Sequence, residues 1–225
     1  MTGLLLPNLG VRSVPLVTRS LLIACALIYG LQLLNADGAV MLHFALWPLG
    51  NGPDTLPLSV GGWPEFRIWQ LLTYGFLHGS PQHLLFNCLA LWMFGADLER
   101  FWGAAPFLRF VLVAIVGAGL AQLAVAHFSG EPYPTVGISG GVYGILLGFG
   151  MMFPNRIVMP LFPPIPMKAR NLVILFAAIE IYLGVFTRGG GVAHFAHLGG
   201  LATGFVMIQY WRGRLPWKPE RVLRY

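Results

Sequence analysis

Six stretches of this chain are apolar for long enough, or nearly long enough, to cross a bilayer: about 16–36, 70–96, 106–127, 138–153, 170–186 and 193–211. Each predicts a helix. The second opens on a polar-spotted stretch, so its membrane part is nearer 82–96. The fourth and fifth are short, and a short span is tolerated where it sits centrally and lines a cavity. The pattern predicts an all-α membrane protein, a bundle of six transmembrane helices. One membrane domain is expected over residues 1–225, with a short N-terminal segment of about 1–15 and a basic tail of about 212–225.

Composition agrees with the pattern. Only 10% of residues are charged, against roughly 25% in soluble domains, and the mean hydropathy is +0.71. The stretch from Met1 to Arg19 holds Pro7 and Pro15 and no clean apolar core followed by a small-residue cleavage site, so the first span is expected to stay attached. The two cysteines, Cys25 and Cys88, fall inside apolar segments and read as packing residues.

A pI of about 9.7 raises the question of nucleic acid, and the distribution of charge answers it. With six spans both termini lie on one side. If that side is cytoplasmic, every Lys and Arg except Arg67 and Arg188 is inside. The positive-inside rule then accounts for the basic balance and leaves no separate patch for nucleic acid. The basic tail is placed to touch anionic lipid.

The loops differ in character. The first external loop, about 37–69, is rich in Gly and Pro and carries Trp47, Trp63 and Trp69, which favour a membrane interface. It is expected to lie in the outer leaflet. Phe128 to Val136, with Gly130, Pro132 and Pro134, delivers the chain to the fourth span in a non-helical conformation. Thr187 to Val192 carries Gly189-Gly190-Gly191 and reads as a mobile cover.

Three clusters carry candidate chemistry. Gly137-Ile138-Ser139-Gly140-Gly141 sets a hydroxyl at a helix start. Gly137 and Gly140 permit a tight turn and close approach of a substrate backbone. The unpaired N–H groups and positive dipole of a helix start stabilise an oxyanion. A small-residue helix contact is the plainer reading of that motif alone. The second cluster is Ala193-His194-Phe195-Ala196-His197-Leu198-Gly199-Gly200. Gly200 and Gly204 lie on one face below His197 and let another helix come close. If that helix is the fourth span, His197 becomes a base for Ser139. Tyr143, four residues past Ser139, is then placed to pack on the imidazole. His194 is the rival base. His194 and His197 also read as a metal pair with His78 or His83, but no carboxylate or cysteine ligand is near in sequence, so no metal is expected. The third cluster is His83-Leu84-Leu85-Phe86-Asn87. His83 and Asn87 share a helix face, and both can donate to an oxyanion.

His83-x-x-x-Asn87, Gly137-x-Ser139-Gly140 and Ala196-His197-x-x-Gly200-x-x-x-Gly204 occur in this order and on one side. Together they resemble the rhomboid family of intramembrane serine proteases over about residues 63–210. Glu99-Arg100 and Gly103 also match that family's signature after the second span. Trp69-Gln70 departs from its usual Trp-Arg, a difference that bears on the anchoring of the first loop. The resemblance implies the rhomboid-type bundle and a Ser139–His197 dyad with Tyr143 stacked on the base. His83, Asn87 and the Ser139 amide serve as oxyanion donors in it. It implies cleavage of single-pass transmembrane proteins in or beside their membrane segments, without metal or cofactor.

Asp97 and Glu99 lie at the opposite end of the second span, so no acid completes a triad in this reading. Glu180 is the one acidic residue within the fifth span; a structural role nearer mid-membrane is expected of it. A rhomboid-like protein that holds transmembrane clients without cutting them is the competing class. A small-solute transporter is disfavoured because no internal repeat with broken helices is evident. The compact form without a presequence points to a bacterial inner membrane.

Overall fold

A backbone surrounded by lipid must satisfy its polar groups internally, which favours helices over the apolar runs. A computed structural model describes residues 13–35, 38–49, 64–129, 133–160, 164–186 and 193–219. In chain order the helices are α1 (Leu16–Leu34), α2 (Ala39–Phe44) and α3 (Gln70–Thr73), the last running into a 3₁₀ turn over Tyr74–Phe76. There follow α4 (Pro81–Ala90), a π-helical turn (Leu91–Gly95) and α5 (Ala96–Trp102), wound as one continuous rod. Then come α6 (Ala104–Ser129), α7 (Ser139–Met152), α8 (Ala169–Phe186) and α9 (His194–Trp211). A two-stranded antiparallel hairpin, β1 (Ile157–Val158) with β2 (Met167–Lys168), joins α7 to α8.

Among the described residues three helices are long and apolar enough to cross a membrane, Leu16–Leu34, Ala104–Phe128 and Ala169–Phe186, with Ser139–Met152 a shorter apolar one. Leu27, Leu34, Ile174 and Ile181 stand more than half exposed on α1 and α8. Apolar side chains of that size facing outward on such helices face lipid. The chain is a mostly helical integral membrane protein.

The second predicted span is not one continuous helix from residue 70. The chain extends after the 3₁₀ turn, and the rod starts only at Pro81. Ser80 explains the restart: its hydroxyl accepts from the His83 amide at 3.1 Å, with Pro81 at the first helical position. That cap fixes where His83 and Asn87 point. The short fourth span is central as expected, with nine of the fourteen residues of α7 buried. α8 is peripheral, burying only Ala169, Leu172, Val173 and Glu180.

The first loop is tied to the bundle by its backbone. Leu46 and Thr135 exchange two hydrogen bonds of 3.0 and 2.9 Å, so the loop pairs with the extended segment leading to Ser139. Trp47, expected at the membrane interface, is instead buried against the protein, whereas Trp69 is exposed. Gln70, in place of the Arg that the resemblance leads one to expect, is itself a loop anchor. Its Oε1 accepts from the Trp47 and Arg67 amides at 3.3 and 3.2 Å. Trp63, Gly130, Pro132, the Gly189–Gly191 cover, the first twelve residues and the end of the basic tail lie outside the described residues.

One long-range contact fixes the start of α1. Pro15 offers no capping side chain, and the Glu99 carboxylate of α5 takes that role. Its Oε1 accepts from the Val17 amide at 2.8 Å, and its Oε2 accepts from the Thr18 amide at 2.7 Å and hydroxyl at 2.8 Å. A carboxylate on the orphan donors of a helix start satisfies both the hydrogen bonds and the dipole. Glu99→Gln is expected to lower stability by about 1–2 kcal/mol, measured by equilibrium unfolding in mixed detergent micelles.

Candidate active site

The site is assembled at one end of α7, where its N-terminus meets α4, α8 and α9. Ser139 is the first residue of α7. The chain reaches it through Gly137, whose φ of +114° lies where only glycine is unstrained. The Gly137 amide donates to the Tyr74 carbonyl at 2.9 Å. A Cβ on Gly137 would meet His83 Cε1 at 2.5 Å and Asn87 Nδ2 at 3.6 Å. The ring of His83 and the amide of Asn87 therefore converge on the backbone just ahead of Ser139. Asn87 Nδ2 is buried and has no hydrogen-bond partner among the described residues. An orphaned amide costs about 1–3 kcal/mol, and here it lies beside a hydroxyl at a helix start.

His197 comes from α9, and glycine contacts bring it there. A Cβ on Gly200 would stand 1.9 Å from the Gly140 carbonyl oxygen, so the backbones of α7 and α9 touch. One turn on, Gly204 lies against Gly144. Gly140 itself leaves room for Ala118 of α6. With the helices this close, His197 Nε2 sits 2.8 Å from Ser139 Oγ. Tyr143 stacks on the imidazole, with ring centroids 4.3 Å apart and planes at 11°. A neutral imidazole that accepts a hydrogen bond at Nε2 carries its own proton on Nδ1.

His194 does not turn toward Ser139. Its Nδ1 lies 2.6 Å from Glu180 Oε2. Glu180 is where the sequence reading needs correction. Its carboxylate is not isolated below the site, because Oε2 also lies 3.0 Å from His197 Nδ1 and the Tyr143 hydroxyl donates to Oε1. Counting residues from helix ends misses this, because the axial offset of α8 against α9 decides it. Gly184 of α8 packs on His194, a Cβ there meeting His194 Cβ at 3.3 Å. One turn back, Glu180 then faces His197. The His197 Nδ1 contact is short but bent: the N–H direction misses a straight hydrogen bond, and Nδ1 has no other partner among the described residues.

The sequence argument against a metal, the lack of a nearby carboxylate, does not hold in space. Ligand atoms of Glu180, His194 and His197 lie within 4.8 Å of one another. The 2.6 Å contact of His194 with Glu180 is a hydrogen bond, and the 3.0 Å contact of His197 with the same oxygen is a close ion-pair distance. His78 and His83 are not in that set; their rings meet edge to face at 5.2 Å.

A cavity of about 440 Å³ opens between α4, α7 and α8. Asn87 and Tyr143 line it together with apolar groups such as Phe86, Met93, Val142 and Phe176. It is an apolar slot whose polar edge is the site itself.

Residues 65–214 match the family model of the Rhomboid domain. The chain belongs to the rhomboid family. It is 30% identical over 199 residues to a Yersinia pestis (strain Pestoides F) protein named Rhomboid protease GlpG, a match covering 88% of this chain and 63% of that protein. A Klebsiella pneumoniae protein of the same name is 30% identical over 191 residues, covering 84% of this chain and 61% of its own length. The chain thus spans less than two thirds of the length of these relatives.

Gly200→Ala places a methyl group against a backbone carbonyl and must push α9 from α7. It is expected to destabilise by about 3 kcal/mol. Gly30→Ala, with nothing within 4 Å of the added carbon, is expected to stay within about 0.5 kcal/mol or to stabilise. Unfolding midpoints in detergent compare the two.

Proposed function

We propose that this chain is an intramembrane serine endopeptidase that cuts single-pass transmembrane proteins in or beside their membrane segments. The observation that carries the reading is the 2.8 Å contact between Ser139 Oγ and His197 Nε2, beside the unpartnered Asn87 amide. The family and the names of its relatives support it.

His197 Nε2 takes the Ser139 proton as Oγ attacks the scissile carbonyl. The electron pair moves to the carbonyl oxygen, where Asn87 Nδ2, the His83 ring and the Ser139 amide donate to it. The tetrahedral species collapses, His197 gives its proton to the departing amine, and an acyl-enzyme remains. A water, deprotonated by His197, hydrolyses that ester and returns Ser139. Gly137 and Gly140 keep the approach open to a substrate backbone.

The depth of the site follows from length. α7 has 14 residues, about 21 Å at 1.5 Å per residue, against a hydrocarbon core of about 30 Å. With its far end at one face, Ser139 is sunk about 9 Å below the other. Water must enter there from outside. The apolar slot takes a substrate side chain or the flank of its helix. A helical substrate has its carbonyls occupied, so segments with Gly or Pro unwind into the site more readily.

The six spans in this reading are α1, the α4–α5 rod, α6, α7, α8 and α9, forming one membrane domain. Asp97 pairs with Arg100 at 3.0 Å and with Arg156 at 2.5 Å at the end opposite Ser139. This basic end faces the cytoplasm, with both termini on that side. A bacterial inner membrane fits the bacterial relatives.

Purified protein is expected to cleave a model single-pass substrate. Ser139→Ala and His197→Ala each lower the rate by at least about 10³-fold, and Asn87→Ala lowers kcat by about 10²-fold with KM little changed. Wild-type protein that binds the substrate and leaves it intact would transfer the reading to a client-holding protein.

A further inference from the structure

A neutral imidazole that accepts a proton inside an apolar bundle becomes a cation there. Without a counter-charge that step is costly. Glu180 supplies one. Its Oε2 lies 3.0 Å from His197 Nδ1, on the side of the ring away from Ser139. The carboxylate is only 5% exposed and is held from two other directions. The Tyr143 hydroxyl donates to Oε1, and His194 Nδ1 lies 2.6 Å from Oε2. Tyr143 also stacks on His197, so one side chain sets the ring plane and the carboxylate together.

From this arrangement we infer that Glu180 is a positioning residue, the third member of a Ser139–His197–Glu180 relay, with His194 and Tyr143 as its supports. The inference rests on the serine-protease reading. Glu180 keeps the His197 proton on Nδ1 in the resting state, leaving Nε2 free to accept from Ser139. It then faces the imidazolium when Ser139 attacks. It takes no proton itself. His194, read from sequence as a rival base, is instead the group that clamps the acid. The relay draws its three members from α7, α9 and α8, so it closes only when α8 is seated.

The test uses the full chain in detergent and a model single-pass substrate. Glu180→Gln keeps the size of the side chain and removes the charge. It is expected to lower kcat by about 10²-fold, less than the ~10⁴-fold of a straight carboxylate–histidine bond because this contact is bent. KM should stay within about twofold, which a merely structural role would not predict. In a His197→Ala background the same change should move the residual rate by less than about twofold, because the residues act as one unit. Glu180→Gln with kcat within twofold of wild type overturns the relay while leaving the protease reading intact. A wild type that cuts nothing removes the protease reading and the relay with it. A second measurement needs no variant: in wild-type protein with ¹⁵N-labelled histidine, His197 is expected to carry its proton on Nδ1. A resting ring protonated on Nε2 overturns the relay even if Glu180→Gln does not fold.

Discussion

The structure depends on the approach of two helices without side chains between them. At Gly200 the backbone of α9 touches the Gly140 carbonyl of α7, and Gly204 repeats the contact against Gly144 one turn below. In lipid there is no hydrophobic drive to bring helices together, so association rests on close packing and on polar contacts. Here both act at one place. The glycine contact sets the distance between the helices, and that distance lets a serine and a histidine 58 residues apart share a hydrogen bond. A side chain larger than hydrogen at residue 200 would act on the whole site at once.

The polar residues of the bundle divide by task. Glu99 closes the start of α1, and Gln70 gathers the first loop. Both have their partners within the chain and hold the scaffold. Asn87 is different, since its buried amide is left without an acceptor among the described residues. The side-chain oxygens of Gln122 and Gln209 also lack partners among the described residues, but Asn87 Nδ2 is the amide that converges with His83 on the backbone just ahead of Ser139. Glu180 stands between the two kinds. Its partners Tyr143 and His194 tie it into the fold, and His197, the proposed base, lies 3.0 Å away.

Much of this was legible in the sequence because membrane helices announce themselves by run length, and functional positions repeat every three or four residues along them. Five of the six apolar runs located their helices to within a few residues. His83 and Asn87 read as one face because they are four apart, and Gly200 and Gly204 read as a contact surface for the same reason. What stayed hidden depends on how one helix slides along another. Glu180 was expected deeper than the site because depth was counted from helix ends, whereas the seating of Gly184 on His194 sets the register. The capping of α1 by Glu99 joins residues 81 apart and has no local signal. The late start of the α4–α5 rod is legible in the polar-spotted opening of that segment, which puts its membrane part near 82–96, and in Ser80-Pro81, a helix-start signature. The short hairpin between α7 and α8 falls in a proline-rich connection whose pairing no periodicity reveals.

The central claim is that the approach of α7 and α9 makes Ser139 a nucleophile. The most direct measurement is reaction of the folded protein with a fluorophosphonate, followed by peptide mapping of the adduct by mass spectrometry. A single phosphonylated residue, Ser139, is expected, with labelling lost in His197→Ala protein that still unfolds cooperatively. Folded wild-type protein that takes no label at Ser139, or takes it equally well without His197, would contradict that claim.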